Sequence, residues 1–104
     1  MKLRNPFSEE TRNLYLWNHE CWVCGRNTVS ELHHIWGRIS DSALNSAPLC
    51  KECHTTLFAT RIVRVNLFKK TLDFLYKQSY ELVDRDLKFL EKVKGEIKDI
   101  DVWK

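Results

Sequence analysis

The sequence lacks any long apolar segment. No hydrophobic run approaches the ~18–20 residues that a membrane-spanning helix requires, and no apolar stretch follows the basic N-terminal residues as in a secretory signal. Glycine and proline are also scarce, at three and two among 104 residues, and no internal repeat is visible. These absences argue against disordered, low-complexity and repeat proteins. We therefore expect one domain over residues 1–104, located in the cytoplasm and without membrane contact.

A strong excess of one charge is missing too, since the formal net charge is only +3 and the pI is near 8.7. The positive charge is nevertheless uneven, because residues 61–80 carry a local excess of +4. A solvated helix face is the simplest interpretation of this cluster, and contact with an acidic partner is the alternative. Its basic members are Arg61, Arg64, Lys69, Lys70 and Lys77.

Four cysteines form the pairs Cys21-x-x-Cys24 and Cys50-x-x-Cys53, with 25 residues between the pairs. A chain of this length has a limited core, for which a cross-link is useful. In a reducing cytoplasm, paired CxxC turns are typical ligands of one tetrahedral zinc ion. A dithiol redox site is the alternative, but its usual βαβ context is absent from the pattern. Four thiolates leave no open position on the metal, so this Zn2+ is predicted to be structural.

The N-terminal half combines a helix signal with strand signals. Ser8 precedes two acidic residues and predicts a helix start, with the helix extending to about His19. Apolar residues within 28–36 favour one or two strands, and the polar stretch 37–48 favours a loop. Residues 50–60 are predicted to form a helix, or a knuckle followed by a helix.

Two C-terminal helices are predicted from apolar residues at helical spacing. Asn66 is expected to cap a helix over 67–78, and Asp84 a helix over 85–98. We expect the apolar stripes to pack within the domain, and contact between two copies in a homodimer is the second interpretation. The stripes are Leu67, Phe68, Thr71, Leu72 and Leu75 on the first helix, and Leu87, Leu90, Val93 and Ile97 on the second.

Three histidines lie between or beside the cysteine pairs. His33 and His34 are adjacent in the predicted strand, so their side chains should point to opposite sides of it. His54 directly follows Cys53, so a zinc ion bound to Cys53 would fix the backbone position from which the His54 side chain extends. Asn45 offers a neutral amide that suits a hard cation or can orient an imidazole. Additional zinc ligands or structural groups are the alternative, although four cysteines already saturate one zinc ion.

The combined pattern CxxC, HH-I-x-G-R and N-x-x-x-LC-x-x-CH resembles the HNH endonuclease family, whose core is the ββα-metal finger. The resemblance covers about residues 21–58. The small size also resembles stand-alone HNH proteins of bacteriophages, which implies the cytoplasm of a bacterial host. The matching positions, in family order, are Cys21, Cys24, His33, His34, Asn45, Cys50, Cys53 and His54.

The resemblance implies a role for each matching position other than the cysteines, and for Arg38. His33 and His54 correspond to ligands of a catalytic divalent metal, with Mg2+, Mn2+, Ni2+ and Zn2+ as the candidates. His34 corresponds to the general base that deprotonates the attacking water. Asn45 corresponds to the residue that supports the finger and orients the base or touches the metal. Arg38 resembles a basic residue near the path of the phosphate backbone.

One position departs from the family pattern. Many members carry another metal-binding side chain about one helical turn after the last histidine, where this chain has Phe58. The catalytic metal would then be held by His33, His54 and Asn45 together with water and phosphate oxygens. Its affinity is expected to be modest before the substrate binds.

The resemblance implies an α+β fold, with a zinc-stapled, treble-clef-like ββα-metal finger over about 21–60. An N-terminal helix and a helical extension over about 61–104 flank this finger. The implied activity is metal-dependent hydrolysis of DNA phosphodiesters that leaves 5′-phosphate and 3′-hydroxyl ends. Beside such a motif, Arg61 and Arg64 are expected to contact DNA, and Lys69 and Lys70 are further candidates. Nicking, double-strand cleavage and action on branched DNA are all compatible with the pattern.

Two other functions fit part of the pattern. A catalytically silent zinc module would bind nucleic acid or a protein through its knuckles alone. An accessory factor would use the C-terminal helices to dock a phage packaging or recombination protein. The presence of His33, His34, Asn45 and His54 together favours the nuclease, because a pure binding module has no use for all four.

Overall fold

The computed structural model describes residues 7–16, 18, 20–27, 29–57 and 60–103, in which four helices surround one small sheet. The α+β class predicted from the sequence is confirmed. None of the described helices is both long and apolar enough to cross a membrane. The elements are helix α1 (Glu9–Asn13), strand β1 (Val29–His34), a 3-10 turn (Ala43–Asn45), strand β2 (Ser46–Cys50), and helices α2 (Lys51–Thr56), α3 (Arg61–Lys77) and α4 (Asp84–Val93).

The sheet consists of β1 and β2 paired antiparallel, with His33 opposite Ala47 and His34 opposite Ser46. The prediction of a loop over 37–48 was therefore wrong at its end, where the 3-10 turn and the start of β2 lie. The polar groups of this segment form hydrogen bonds within the protein, so the polar sequence did not indicate a solvent-exposed loop. Ser46 is an example. Its hydroxyl donates to the Ala43 carbonyl at 2.7 Å, and its own carbonyl accepts from the Thr71 hydroxyl at 2.7 Å.

Helix α1 begins where the sequence predicted. The Ser8 hydroxyl oxygen accepts a hydrogen bond from the backbone N–H of Thr11 at 3.2 Å, which caps the helix. The helix ends at Asn13 and not at about His19, a residue that lies outside the described part of the chain. The next residues form tighter turns, and the Tyr15 hydroxyl reaches Ser46 Oγ at 2.8 Å. Burial of Tyr15 against β2 ends the regular helix early.

Helix α3 begins six residues before the predicted start. Thr60 caps it by accepting a hydrogen bond from Val63 N at 3.3 Å, and Asn66 is an exposed residue inside the helix. In the strand-like run Arg61–Val65, Val63 packs against the core, whereas Ile62 is 73% exposed. The predicted apolar stripe is confirmed as buried at Leu67, Phe68, Thr71, Leu72 and Leu75.

Helix α4 begins at Asp84, with Val83 and not Asp84 at the cap position. The buried Asp86 carboxylate fixes this start by accepting hydrogen bonds from Val83 N at 2.9 Å and from the Tyr80 hydroxyl at 2.7 Å. The helix ends at Val93, before the predicted Lys98. Phe89, Val93 and Ile97 supply the buried positions, whereas Leu87 is 46% exposed and lies off the core.

Candidate metal and histidine sites

Four cysteine sulfurs converge between the first CxxC turn and the end of β2. Every pair of these sulfur atoms lies within 4.8 Å, and Cys24 Sγ is 3.8 Å from Cys50 Sγ. A tetrahedral zinc site with Zn–S bonds of about 2.3 Å has sulfurs about 3.8 Å apart. The cluster is therefore compatible with a structural metal such as zinc, as the sequence predicted. Its members are Cys21, Cys24, Cys50 and Cys53.

Local backbone geometry builds both cysteine turns. In the first, Cys21 N donates to the Arg26 carbonyl and Gly25 N donates to the Cys21 carbonyl, both at 2.9 Å. Gly25 has φ +78°, a left-handed conformation that a side chain would disfavour. In the second turn, Cys50 is the N-cap of α2, and its sulfur accepts from Cys53 N at 3.4 Å. Both turns thus present their sulfurs on one side.

The surroundings of the exposed Cys24 thiol favour its ionised form, the thiolate. Hydrogen bonds from the backbone and then the side chain of Arg26 lower the pKa of Cys24 to about 6. The Arg26 Nε–H lies 3.3 Å from the sulfur, and the same guanidinium contacts Glu52 at 3.3 Å. A thiolate is the form that binds a metal ion.

His33 and His54 are brought together by β1 and α2. Their ring centroids lie 5.1 Å apart in an edge-to-face arrangement with an interplanar angle of 72°. Behind His54, Nδ1 is 2.9 Å from Glu31 Oε2. A carboxylate on Nδ1 leaves Nε2 as the atom available to a metal ion, an arrangement common around metal-bound histidines.

The His33 ring is held in its neutral form. Burial, with smaller contributions from the nearby His54 and His34, lowers the pKa of His33 to about 4. Neutral imidazole is the form that ligates metals. In the described ranges, however, only the cysteine cluster brings three or more His, Cys, Asp or Glu ligand atoms together. His33 and His54 are therefore a pair of possible ligands and not a three-ligand cluster. Phe58, the position at which the family pattern has a further ligand, lies outside the described residues.

His34 occupies a different environment from His33, as expected for neighbours in a strand. The ring stacks on Phe7 with centroids 4.1 Å apart, and Nε2 lies 3.0 Å from Asp41 Oδ1. The residue is 8% exposed. Among the described residues, Nδ1 has no hydrogen-bond partner. Two contacts thus fix the ring, and one nitrogen is left for other chemistry.

Asn45 holds the segment between the two strands. Its Oδ1 accepts from Trp36 N at 2.9 Å, and its Nδ2 donates to the carbonyls of Gly37 at 3.0 Å and Ser40 at 2.8 Å. The residue is 0% exposed, so its amide presents no surface to an ion. This differs from the metal-ligand role assigned to Asn45 by the resemblance. The observed contacts instead hold together the segment between β1 and β2.

We expect Asn45→Ala to lower the free energy of unfolding by about 2–4 kcal/mol, because three partly buried backbone groups lose their partners. Urea denaturation of the parent and the variant measures this difference. Asn66→Ala is the matched control, since Asn66 is exposed in the middle of α3. An equal, small effect of both substitutions would contradict the bracing role of Asn45.

The predicted nucleic-acid-binding residues fall into two groups. Arg64 pairs with Glu96 at 2.7 Å, Arg61 contacts the Glu96 carbonyl at 3.5 Å, and Lys70 donates to the Trp22 carbonyl at 2.8 Å. These three side chains serve intramolecular contacts. Arg38 and Lys69 are exposed, and neither forms an ion pair with a described residue.

Sequence reasoning missed the two carboxylates that contact the histidines. Glu31 lies two residues before His33 on the same strand face, a period-2 signal that could have placed it near His33. Asp41 had no comparable signal, since it lies in an irregular segment whose path depends on Asn45. Both contacts join residues that are separated in the chain, at 23 and 7 residues respectively.

No family model matches the sequence, and neither the curated proteins nor the solved structures include a significantly similar chain.

Proposed function

We propose that this protein is a metal-dependent endonuclease of the HNH type that hydrolyses DNA phosphodiester bonds. His34 is the general base, and His33 and His54 hold a divalent metal ion. The four cysteines hold a separate, structural zinc ion. The observation that carries the proposal is the meeting of His33 and His54 across β1 and α2, with Glu31 on the far nitrogen of His54.

The cysteine cluster and the histidine pair are joined by the chain itself. Cys53 and His54 are neighbours in α2, and Cys50 ends β2, which pairs with the strand that carries His33. A zinc ion in the cluster would thus hold the second strand and the helix in place. This supports one site for stability and another for chemistry, as expected when thiolates saturate the first metal.

The protein groups suit phosphodiester hydrolysis. His34 would take a proton from water, whose oxygen then attacks phosphorus while the bond from phosphorus to the 3′ oxygen breaks. A proton from solvent then completes the 3′-hydroxyl. A positioned histidine base contributes about 10²–10⁴-fold to such a rate. A divalent ion at His33 and His54, when bound, would neutralise charge on the phosphate and on the leaving oxygen. Asn45 keeps the end of β1 in place while the proton moves.

The contact with DNA is expected to depend on exposed cations. Arg38 lies in the exposed turn after β1, next to Gly37, whose φ is +73°. Phosphate contacts release counterions, so affinity should fall as salt rises. Arg61, Arg64 and Lys70 are already engaged within the protein, and we assign the DNA contact to Arg38 and Lys69 first.

The test is cleavage of supercoiled plasmid by the purified full chain with EDTA, Mg2+, Mn2+, Ni2+ or Zn2+. We expect metal-dependent cleavage by the parent and none by His54→Ala, because that variant loses one of two protein ligands to the catalytic metal. His19→Ala is the control, since His19 is the histidine outside the motif. Its activity should equal that of the parent.

The form of the DNA product and the activity of the variant distinguish several possibilities. A nicked product indicates one active site per encounter, whereas linear product at early times indicates two sites acting together, as in a dimer. Cleavage by His54→Ala at the parent rate would refute the metal site. Absence of cleavage with every metal would refute the nuclease itself.

Two observations favour a second function, a zinc module that binds nucleic acid or a protein without cutting. The cysteine cluster is complete, whereas the histidine pair offers only two ligand groups within the described residues. Phe7 also covers one face of His34. DNA binding by the parent without cleavage, at an affinity that His34→Ala and His54→Ala leave unchanged, would support this alternative.

A further inference from the structure

The segment between β1 and β2 places one carboxylate directly on the proposed base. Asp41 Oδ1 lies 3.0 Å from His34 Nε2, a hydrogen-bond distance. The carboxylate side chain is 48% exposed, whereas the His34 side chain is 9% exposed. Asp41 therefore lies at the rim of the site and reaches inward to a nearly buried ring.

Two contacts together determine the orientation of that ring. Phe7 stacks on one face with an interplanar angle of 16°, which fixes the plane of the imidazole. The Asp41 contact fixes rotation of the ring within this plane. An ionised carboxylate only accepts hydrogen bonds, so the proton of a neutral His34 lies on Nε2 and the lone pair on Nδ1.

The backbone that carries Asp41 is itself held by buried side chains. The Ser40 carbonyl accepts from Asn45 Nδ2 at 2.8 Å, and Ser42 N donates to Ser40 Oγ at 3.0 Å. On the other side, Ser42 Oγ donates to the fully buried Asp86. Asn45, Ser42 and Asp86 are each 0% exposed. Asp41 thus projects from a segment that is anchored on both sides.

An ordinary surface ion pair has a different construction. Asp73 and Lys77, for example, pair at 3.0 Å within α3, and both side chains are more than half exposed. Such pairs contribute little, because water screens them and long side chains lose entropy. The Asp41 contact instead joins two segments and ends on a ring that solvent hardly reaches.

We propose that Asp41 is a positioning residue for His34, which holds Nε2–H and presents Nδ1 as the proton-accepting atom. This inference rests on the proposed nuclease function for its consequence in catalysis. Asp41 does not touch the substrate or the metal in this assignment. Its contribution is the tautomer and orientation of the base, both of which must be correct before a proton can move.

The first measurement is NMR of the 15N-histidine-labelled full chain at about pH 8.5, where ordinary imidazoles are neutral. The His34 signals are assigned by their loss in His34→Gln. We expect a protected Nε2–H proton in the parent, retained in Asp41→Asn, whose amide oxygen still accepts. Asp41→Ala should lose this protection, and Asp73→Ala, the exposed-acid control, should keep it.

The second measurement is steady-state cleavage by the same variants. Asp41→Ala should lower kcat by about 10- to 100-fold, the range usual for groups that orient site residues. KM should not rise, and Asp41→Asn should lie closer to the parent. Equal melting temperatures would show that the variants are folded.

Failure of the inference and failure of the proposed function are distinguishable. If the parent does not cleave DNA, the proposed function fails, but the Nε2–H signal still tests the contact. If the parent cleaves and Asp41→Ala matches it in kcat, the positioning role is refuted. A proton on Nδ1 of His34 in the parent, or equal Nε2–H protection in Asp41→Ala, would also overturn it.

Discussion

Cys50→Ser is expected to abolish stoichiometric zinc and to lower the melting temperature by more than about 20 °C. Structural zinc contributes about 10–16 kcal/mol in small zinc domains, which is comparable to the whole stability of a domain this size. Each kcal/mol of lost stability lowers the melting temperature of a domain of this size by about 4–8 °C, so a loss of several kcal/mol produces a large shift. The measurements are zinc content after dialysis and thermal unfolding followed by circular dichroism.

Serine is the substitution that isolates the metal contribution. Cys50 is also the N-cap of α2, where its sulfur accepts from Cys53 N. Serine is among the best N-caps, so the helix start is preserved while the thiolate is lost. Lys51→Ser, one residue later and exposed, is the matched control and should melt like the parent. Unchanged zinc content and melting in Cys50→Ser would contradict a structural zinc.

Removal of zinc from the parent is expected to have the same effect. Among the residues that the structure describes, the small cluster around the cysteines contains besides them only Leu49 and the partly buried Leu57. Apolar burial alone therefore contributes little there, and the cross-link has to replace it. Because His54 directly follows Cys53, loss of zinc should also displace the proposed catalytic site. Chelation would then remove cleavage and folding together, and added zinc should restore both.

Features with a strong local signal could be predicted from the sequence. Ser8 marks the start of α1 because an N-cap depends on its own side chain and the next three residues. The paired CxxC spacing predicted the cysteine cluster because each turn fixes two sulfurs locally. The stripe on α3 was predicted because its period depends only on helix geometry.

Features that depend on tertiary contacts could not be predicted. Residues Ser46–Pro48 look like loop, but burial against α3 makes them strand, with Thr71 satisfying the Ser46 carbonyl. Arg61–Val65 starts α3 early because Thr60 supplies a cap. Asp41 meets His34 only because buried hydrogen bonds shape the segment between the strands. In each case the decisive partner is distant in sequence or lies in an irregular segment.

His34→Ala is expected to lower the rate of metal-dependent DNA cleavage by at least about 10²–10⁴-fold, because the attacking water loses its base. The affinity for DNA and the zinc content should both remain at parent values. The His34 side chain stacks on Phe7 and lies at hydrogen-bond distance from Asp41, so neither contact involves the cysteine cluster or His54. Single-turnover cleavage of a plasmid, with a saturating divalent metal, measures the chemical step.

Truncation of His34 also removes a ring that stacks on Phe7, so a loss of stability has to be separated from a loss of chemistry. His34→Gln fills more of the same space and offers an amide to Asp41, but it cannot accept a proton at neutral pH. Both variants should therefore lose cleavage to a similar extent, although alanine should lower the melting temperature more. Cleavage by folded His34→Gln at the parent rate would show that another group is the base. Loss of activity in alanine alone would indicate a structural role, because packing is then the property that the two variants do not share.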